Sequence, residues 1–246
     1  MTLGSPFGIP VHLHWSFGLL LAGAALWGGW MGGMLGLGLV SLSMGVLAGS
    51  VVLHELGHAL AAKRFGIGTA HITLYPFGGV AAIERMPEDP DQEMVIALAG
   101  PAVNIALAAA FGWLWLLTTS PLVLVFAGLN LAMAVFNLLP AYPMDGGRVL
   151  RAYLARSMGM VPATRVAHRI GTGFAWAFIV VGVAWPWPSL LLVGAFLLVA
   201  LRQEHQRMVA WNWERTTGRP APWNTTTQST PVPSASAPTS WPWSRS

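Results

Sequence analysis

Long apolar runs separated by short polar connectors dominate the chain, at about Leu13–Met31, Gly38–Ala62, Met94–Leu117 and Leu122–Pro140. A shorter pair follows at about Ile170–Trp185 and Ser189–Leu201. Runs of ~18 or more apolar residues are long enough to cross a bilayer as helices. The last member falls short of the ~20 residues a full span needs, and reads as a short helix or as half of a re-entrant hairpin. The expected fold is an all-α polytopic membrane protein of about six transmembrane helices. Between the second and third runs, FGIGTAHITLYPFGGVAAIERMPEDP breaks the pattern. Its alternation of Thr, Ile, Leu and Tyr, cut by Pro76 and paired glycines, predicts a short β-hairpin or re-entrant loop. Residues 1–12 then form an N-terminal cytoplasmic or interfacial segment, 13–205 the membrane core, and 206–246 a Pro/Ser/Thr/Trp-rich cytoplasmic tail that reads as disordered.

Charge placement supports this count. All 13 Lys and Arg fall after the second run (Lys63, Arg64, Arg85), after the fourth (Arg148, Arg151, Arg156, Arg165, Arg169) or from Arg202 onward. The connectors near Gly32–Gly33, Thr118–Pro121 and Pro186–Pro188 carry none. An even number of crossings puts every basic residue on one face, which the positive-inside rule makes the cytoplasmic side of the inner membrane, with both termini inside. Composition agrees: 54% of residues are hydrophobic and 9% charged, with a mean hydropathy of +0.58. A soluble domain carries roughly 25% charged residues, and folding this chain in water would leave large apolar patches exposed. The net charge of +4 therefore reflects membrane sidedness rather than affinity for nucleic acid. Zero cysteines exclude disulfides, thiolate metal sites and cysteine nucleophiles. No Lys or Arg precedes the first apolar run, so the N-terminus does not read as a cleavable signal peptide.

Of nine acidic residues, seven sit in polar segments on the basic side, and only Glu55 and Asp145 adjoin or enter apolar runs. Ionisable groups at membrane depth are costly and point to function. Glu55 belongs to LHELGHALAAK, residues 53–63. His54 and His58 lie at i and i+4, so both imidazoles share one helix face and can reach one ion. Neutral imidazole suits zinc, which takes nitrogen and carboxylate ligands in a tetrahedral shell. Glu55 can serve as general base toward water at the open position. The bland alternative is a helix whose two interfacial histidines pair with Glu55.

A third ligand candidate stands in NLLPAYPMDGGRVL, residues 137–150. Pro140 and Pro143 end the fourth helix, and Asp145 then precedes a glycine pair and an amphipathic start. Asp145 could simply cap that helix. However, His58 is five residues before Lys63 and Asp145 three before Arg148, which gives the three groups a common depth. Two histidines, a carboxylate and one open position make a catalytic rather than a structural shell.

HELGH on a second membrane helix, with N-x-x-P-x-x-P-x-D-G two helices later, resembles the site-2 protease family of intramembrane zinc metalloproteases. AGPAVN, carrying Gly100, Pro101 and Asn104, and the Pro76-Phe77-Gly78-Gly79 loop match as well, and the resemblance spans about residues 6–205. It implies one zinc per chain held by His54, His58 and Asp145, with Glu55 as the base. It also implies regulated cleavage of peptide bonds in or near transmembrane segments of membrane-tethered substrates. The chain has room for neither the PDZ nor the CBS domains many members carry. A metal transporter or zinc-stabilised membrane scaffold is the alternative from another class, and it would have no use for a base.

Further residues leave two readings open. Asn137 and Asn104 could steady a substrate carbonyl or oxyanion, or make interhelical hydrogen bonds. The hairpin around Tyr75–Val80, with Phe77, Gly78 and Gly79, could hold an extended substrate by main-chain hydrogen bonds, or merely connect two helices. His12 and His14 read as an interfacial entry to the first run, with Trp15 as a headgroup anchor.

Overall fold

The glycine pair that carries no charge in the sequence is where the first long helix turns back on itself. In the computed structural model, which describes residues 2–76, 78–85, 87 and 89–218, α1 runs Trp15–Arg64 and is broken at Gly32 and Gly33. Gly33 has φ +58°, a left-handed conformation that glycine adopts without strain. The two arms pack closely beyond the break. A Cβ on Gly28 would lie 2.7 Å from the Gly36 carbonyl oxygen. The second arm ends on Lys63 and Arg64, which complement the negative end of the helix dipole.

The chain divides into two units, residues 1–201 and 202–246. In the first, α2 (Pro90–Thr118) and α3 (Pro121–Asn137) are followed by α4 (Asp145–Met158), α5 (Met160–Ala184) and the start of α6 (Pro188–Thr217). Proline opens α2, α3 and α6, at the position where its missing N–H costs nothing. The Asp89 side chain caps α2 by accepting from the Asp91 N–H at 2.8 Å. Helix α2 packs against α1, α3 and α4, which makes it the central pillar. Among the described residues three helices are long and apolar enough to cross a membrane, Trp15–Arg64, Pro90–Thr118 and Met160–Ala184. Shorter apolar helices are Pro121–Asn137 and Pro188–Gln203. Helix α6 continues to Thr217, past the boundary at 205 where the tail was expected to begin. Its extension, LRQEHQRMVAWNWERTT, contains no Gly or Pro to stop a helix. The residues beyond 218 lie outside the described part of the chain.

The expectation of an all-helical protein with one short hairpin needs correction at the N-terminus. Strands β1 (Thr2–Gly4), β2 (Val11–Leu13), β3 (Thr69–Tyr75) and β4 (Gly78–Ile83) form one sheet in that order. β3 and β4 pair antiparallel, from Thr69↔Ile83 to Tyr75↔Gly78. β2 pairs with β3 in parallel, Val11 opposite Ile72 and Leu13 opposite Leu74. Residues 2–4 and 11–13 thus find backbone partners within this sheet of the first unit. The sheet packs Ile72, Val11 and Ile9 against Leu56 and Ala59 of α1, on the turn that carries HELGH.

Candidate metal centre and active site

The second arm of α1 presents His54 and His58 one turn apart, both buried, toward α2. Two glycines permit the close approach. A Cβ on Gly57 would stand 2.8 Å from the Ala99 carbonyl oxygen, and one on Gly100 2.5 Å from His58 Cε1. Helix α2 then supplies a partner for the rear nitrogen of each ring. His54 Nδ1 is 2.5 Å from Asn104 Oδ1, and His58 Nδ1 is 2.7 Å from the Ile96 carbonyl oxygen. Both partners are acceptors, so both Nδ1 atoms carry the hydrogen and both Nε2 atoms keep a free lone pair.

Asp145 arrives from the other side as the first residue of α4. The chain leaves α3 at Asn137 and turns through Leu138–Met144 before α4 starts. Gly146 and Gly147 let that start nest against the turn. Side chains there would collide with the Leu138 and Leu139 carbonyls and with the Tyr142 backbone. The result is a triangle of ligand atoms. His54 Nε2 and His58 Nε2 are 3.1 Å apart, and Asp145 Oδ2 lies 3.2 and 3.3 Å from them. Zinc bonds of ~2.0–2.1 Å in a tetrahedron set ligand–ligand edges of about 3.3–3.4 Å, so the donor atoms fit that ion. Asp145 Oδ2 is buried without a hydrogen-bond partner. Two imidazole lone pairs and a carboxylate oxygen converging without protons between them would repel one another unless a cation lies among them. Among the described residues this is the one cluster of three or more such side chains able to hold a metal.

Glu55 opens onto a cavity of 440 Å³ lined also by His54, Gly78, Gly79, Asn137 and Met144, with apolar walls from α1, α3 and α6. Gly79 of β4 presses against the Glu55 side chain, since a Cβ there would be 2.5 Å from Glu55 Cγ. β4 is the last strand of the sheet, so one edge of its backbone is unpaired by other strands. Of the two amides singled out in the sequence, Asn137 lines the cavity and donates to the Met133 carbonyl at 3.0 Å. Asn104 is not among the residues that line this cavity. It is fully buried, with its oxygen toward His54 and its NH2 toward Asn130 Oδ1 at 3.1 Å. Phe77 lies outside the described residues.

Sequence reasoning missed three further groups. Asn130 sits in the middle of α3, seven residues before Asn137, and an amide amid that apolar run was the available signal. Glu93 and Arg151 were assigned to polar segments, yet both are fully buried and form an ion pair between α2 and α4. Arg148 lies 4.0 Å from both Glu93 and Asp145, linking that pair to the triangle.

Membrane-length helices around a buried His-His-Asp triangle define a membrane protein with a zinc-type centre. Residues 43–120 and 115–181 match Peptidase family M50, and the chain belongs to that family. It is similar to a zinc metalloprotease of Methanocaldococcus jannaschii, 34% identical over 212 residues, covering 80% of this chain and 58% of the relative. It is also 35% identical over 236 residues to the putative zinc metalloprotease Rip3 of Mycobacterium tuberculosis, covering 85% and 59%. The chain thus spans less than two thirds of the length of these curated relatives. Among solved structures it resembles the site-2 protease from Methanocaldococcus jannaschii, with a TM-score of 0.64 and 32% identity, over 83% of this chain and 94% of that one.

Proposed function

We propose that the chain is a zinc-dependent intramembrane endopeptidase that hydrolyses peptide bonds in or near transmembrane segments of membrane-tethered proteins. The observation that carries this reading is the convergence of two imidazole nitrogens and a carboxylate oxygen beside a second carboxylate, Glu55, that faces a cavity. His54, His58 and Asp145 would hold one zinc. Bound there, zinc would polarise a carbonyl and acidify water, the chemistry that peptide hydrolysis needs. Glu55 accepts the proton of the attacking water and returns it to the leaving amine. General acid–base assistance of this kind contributes ~10²–10⁴-fold.

A helical substrate shields its own amides, so it must be extended locally before attack. The outer edge of β4 suits this, because its backbone groups can pair with an extended segment. Gly78 and Gly79 have no side chains to keep that segment away, and Phe77 belongs to the same loop. Asn137 stands across the cavity, where its amide can steady the substrate carbonyl or the oxyanion. We place the protein in the inner membrane with both termini cytoplasmic. Its six crossings would be the two arms of α1, then α2, α3, α5 and α6, and the one-sided Lys and Arg distribution supports this count. The working division is a catalytic core through about residue 205 and a cytoplasmic tail from 206.

Glu55→Gln tests the reading against a transporter or scaffold that needs ligands but no base. Zinc content should stay near one per chain while proteolysis is lost. Single-pass proteins should then accumulate uncut in membrane proteomes of cells carrying the variant. Undiminished cleavage by the zinc-replete variant would refute the mechanism.

A further inference from the structure

Behind His54 runs a chain of amides that reaches a third helix. His54 Nδ1 lies 2.5 Å from Asn104 Oδ1, Asn104 Nδ2 lies 3.1 Å from Asn130 Oδ1, and Asn130 Nδ2 lies 3.0 Å from the Phe126 carbonyl oxygen. Asn104 is fully buried and Asn130 is 2% exposed, so water cannot replace either partner. The polarity of the chain is fixed from its far end. A backbone carbonyl only accepts, so the Asn130 NH2 must face Phe126 and its oxygen must face Asn104. The Asn104 NH2 must then face Asn130, which turns its oxygen to His54. His54 is left with its hydrogen on Nδ1 and its lone pair on Nε2, the atom directed at Asp145 Oδ2. His58 reaches the same state directly, through the Ile96 carbonyl.

We infer that Asn130 is a positioning residue for the metal centre, acting through Asn104 to fix the tautomer and orientation of His54. The inference rests on the zinc reading above. Without the Asn130 oxygen, the Asn104 NH2 loses its buried acceptor, and the Asn104 amide can rotate to offer NH2 to His54 Nδ1. His54 would then carry its hydrogen on Nε2, where it blocks the metal. Asparagine at 130 thus acts across α1, α2 and α3 without touching a ligand atom.

Zinc affinity of the purified protein, measured by competition with a chromogenic chelator, tests this directly. Asn130→Leu removes the acceptor at similar volume and should weaken zinc binding ~10–100-fold, the usual cost of losing an outer partner of a metal-bound histidine. Asn130→Asp, kept neutral by burial, holds its carbonyl oxygen toward Asn104 and donates its O–H to the Phe126 carbonyl, and should stay near wild type. If the leucine variant does not accumulate, Asn130→Ala, which adds no atoms, carries the same expectation. Unchanged affinity in the leucine or alanine variant overturns the inference, as does an aspartate variant that falls as far as they do. Wild-type protein lacking stoichiometric zinc would instead overturn the proposed function itself.

Discussion

Replacing Arg151 by Met leaves Glu93 without its main partner in a place water does not reach. Both side chains are fully buried, and they join α2 to α4. Removing one member of a buried ion pair costs ~3–5 kcal/mol, chiefly the penalty of an uncompensated charge. Arg148 lies 4.0 Å from Glu93 and stays in place, so the loss should fall toward ~3 kcal/mol, a shift of roughly 100-fold in the folded population. The double variant Glu93→Leu/Arg151→Met removes both charges and fills similar volume. Apolar replacement of a whole buried pair is often neutral or stabilising by ~1–4 kcal/mol, so the double variant should recover most of the loss. Unfolding by SDS titration in mixed micelles, followed by circular dichroism, would rank wild type, single and double variants. A single variant as stable as wild type, or a double variant no better than the single, would refute the argument that desolvated charge governs this contact.

Gly100→Ala should lower zinc affinity without removing any ligand. Its Cβ would come within 2.8 Å of His54 Cε1 and 2.5 Å of His58 Cε1, and overpacking of ~1–3 kcal/mol corresponds to roughly a 5- to 150-fold fall. Chelator competition reads that fall. Acidification should release zinc, because protons compete with the metal for the two Nε2 atoms while raised pH leaves them free. Zinc retained after dialysis in mild acid, measured by elemental analysis and reversed at neutral pH, checks the sign.

Much of the site was legible because metal chemistry constrains residue type and spacing. His54 and His58 had to be a helical turn apart, and Asp145 had to follow a break at the depth of His58. The turn-back at Gly32–Gly33 was legible too, as an uncharged connector between apolar runs. Other features depend on packing that leaves no local mark. Strands of three residues at Thr2–Gly4 and Val11–Leu13 are too short for alternation to show, and β2 pairs with a strand beyond the whole of α1. Glu93 and Arg151 lie in charge-rich stretches that resemble ordinary surface until α2 and α4 meet. Asn104 was visible as a buried amide, but only the packing of α2 on α1 shows that its oxygen meets His54.

The parallel pairing of β2 with β3 ties residues 11–13 to the strand that backs the cavity wall. Leu13 sits opposite Leu74, and Leu74 opposite Gly79, so two successive pairings run from β2 to the wall of the cleft. Deleting residues 2–13 would strip hydrogen-bond partners from one side of β3 and let the rim beside Glu55 sag. Such a shortened protein would keep every ligand and its base, and still grip an unwound peptide poorly.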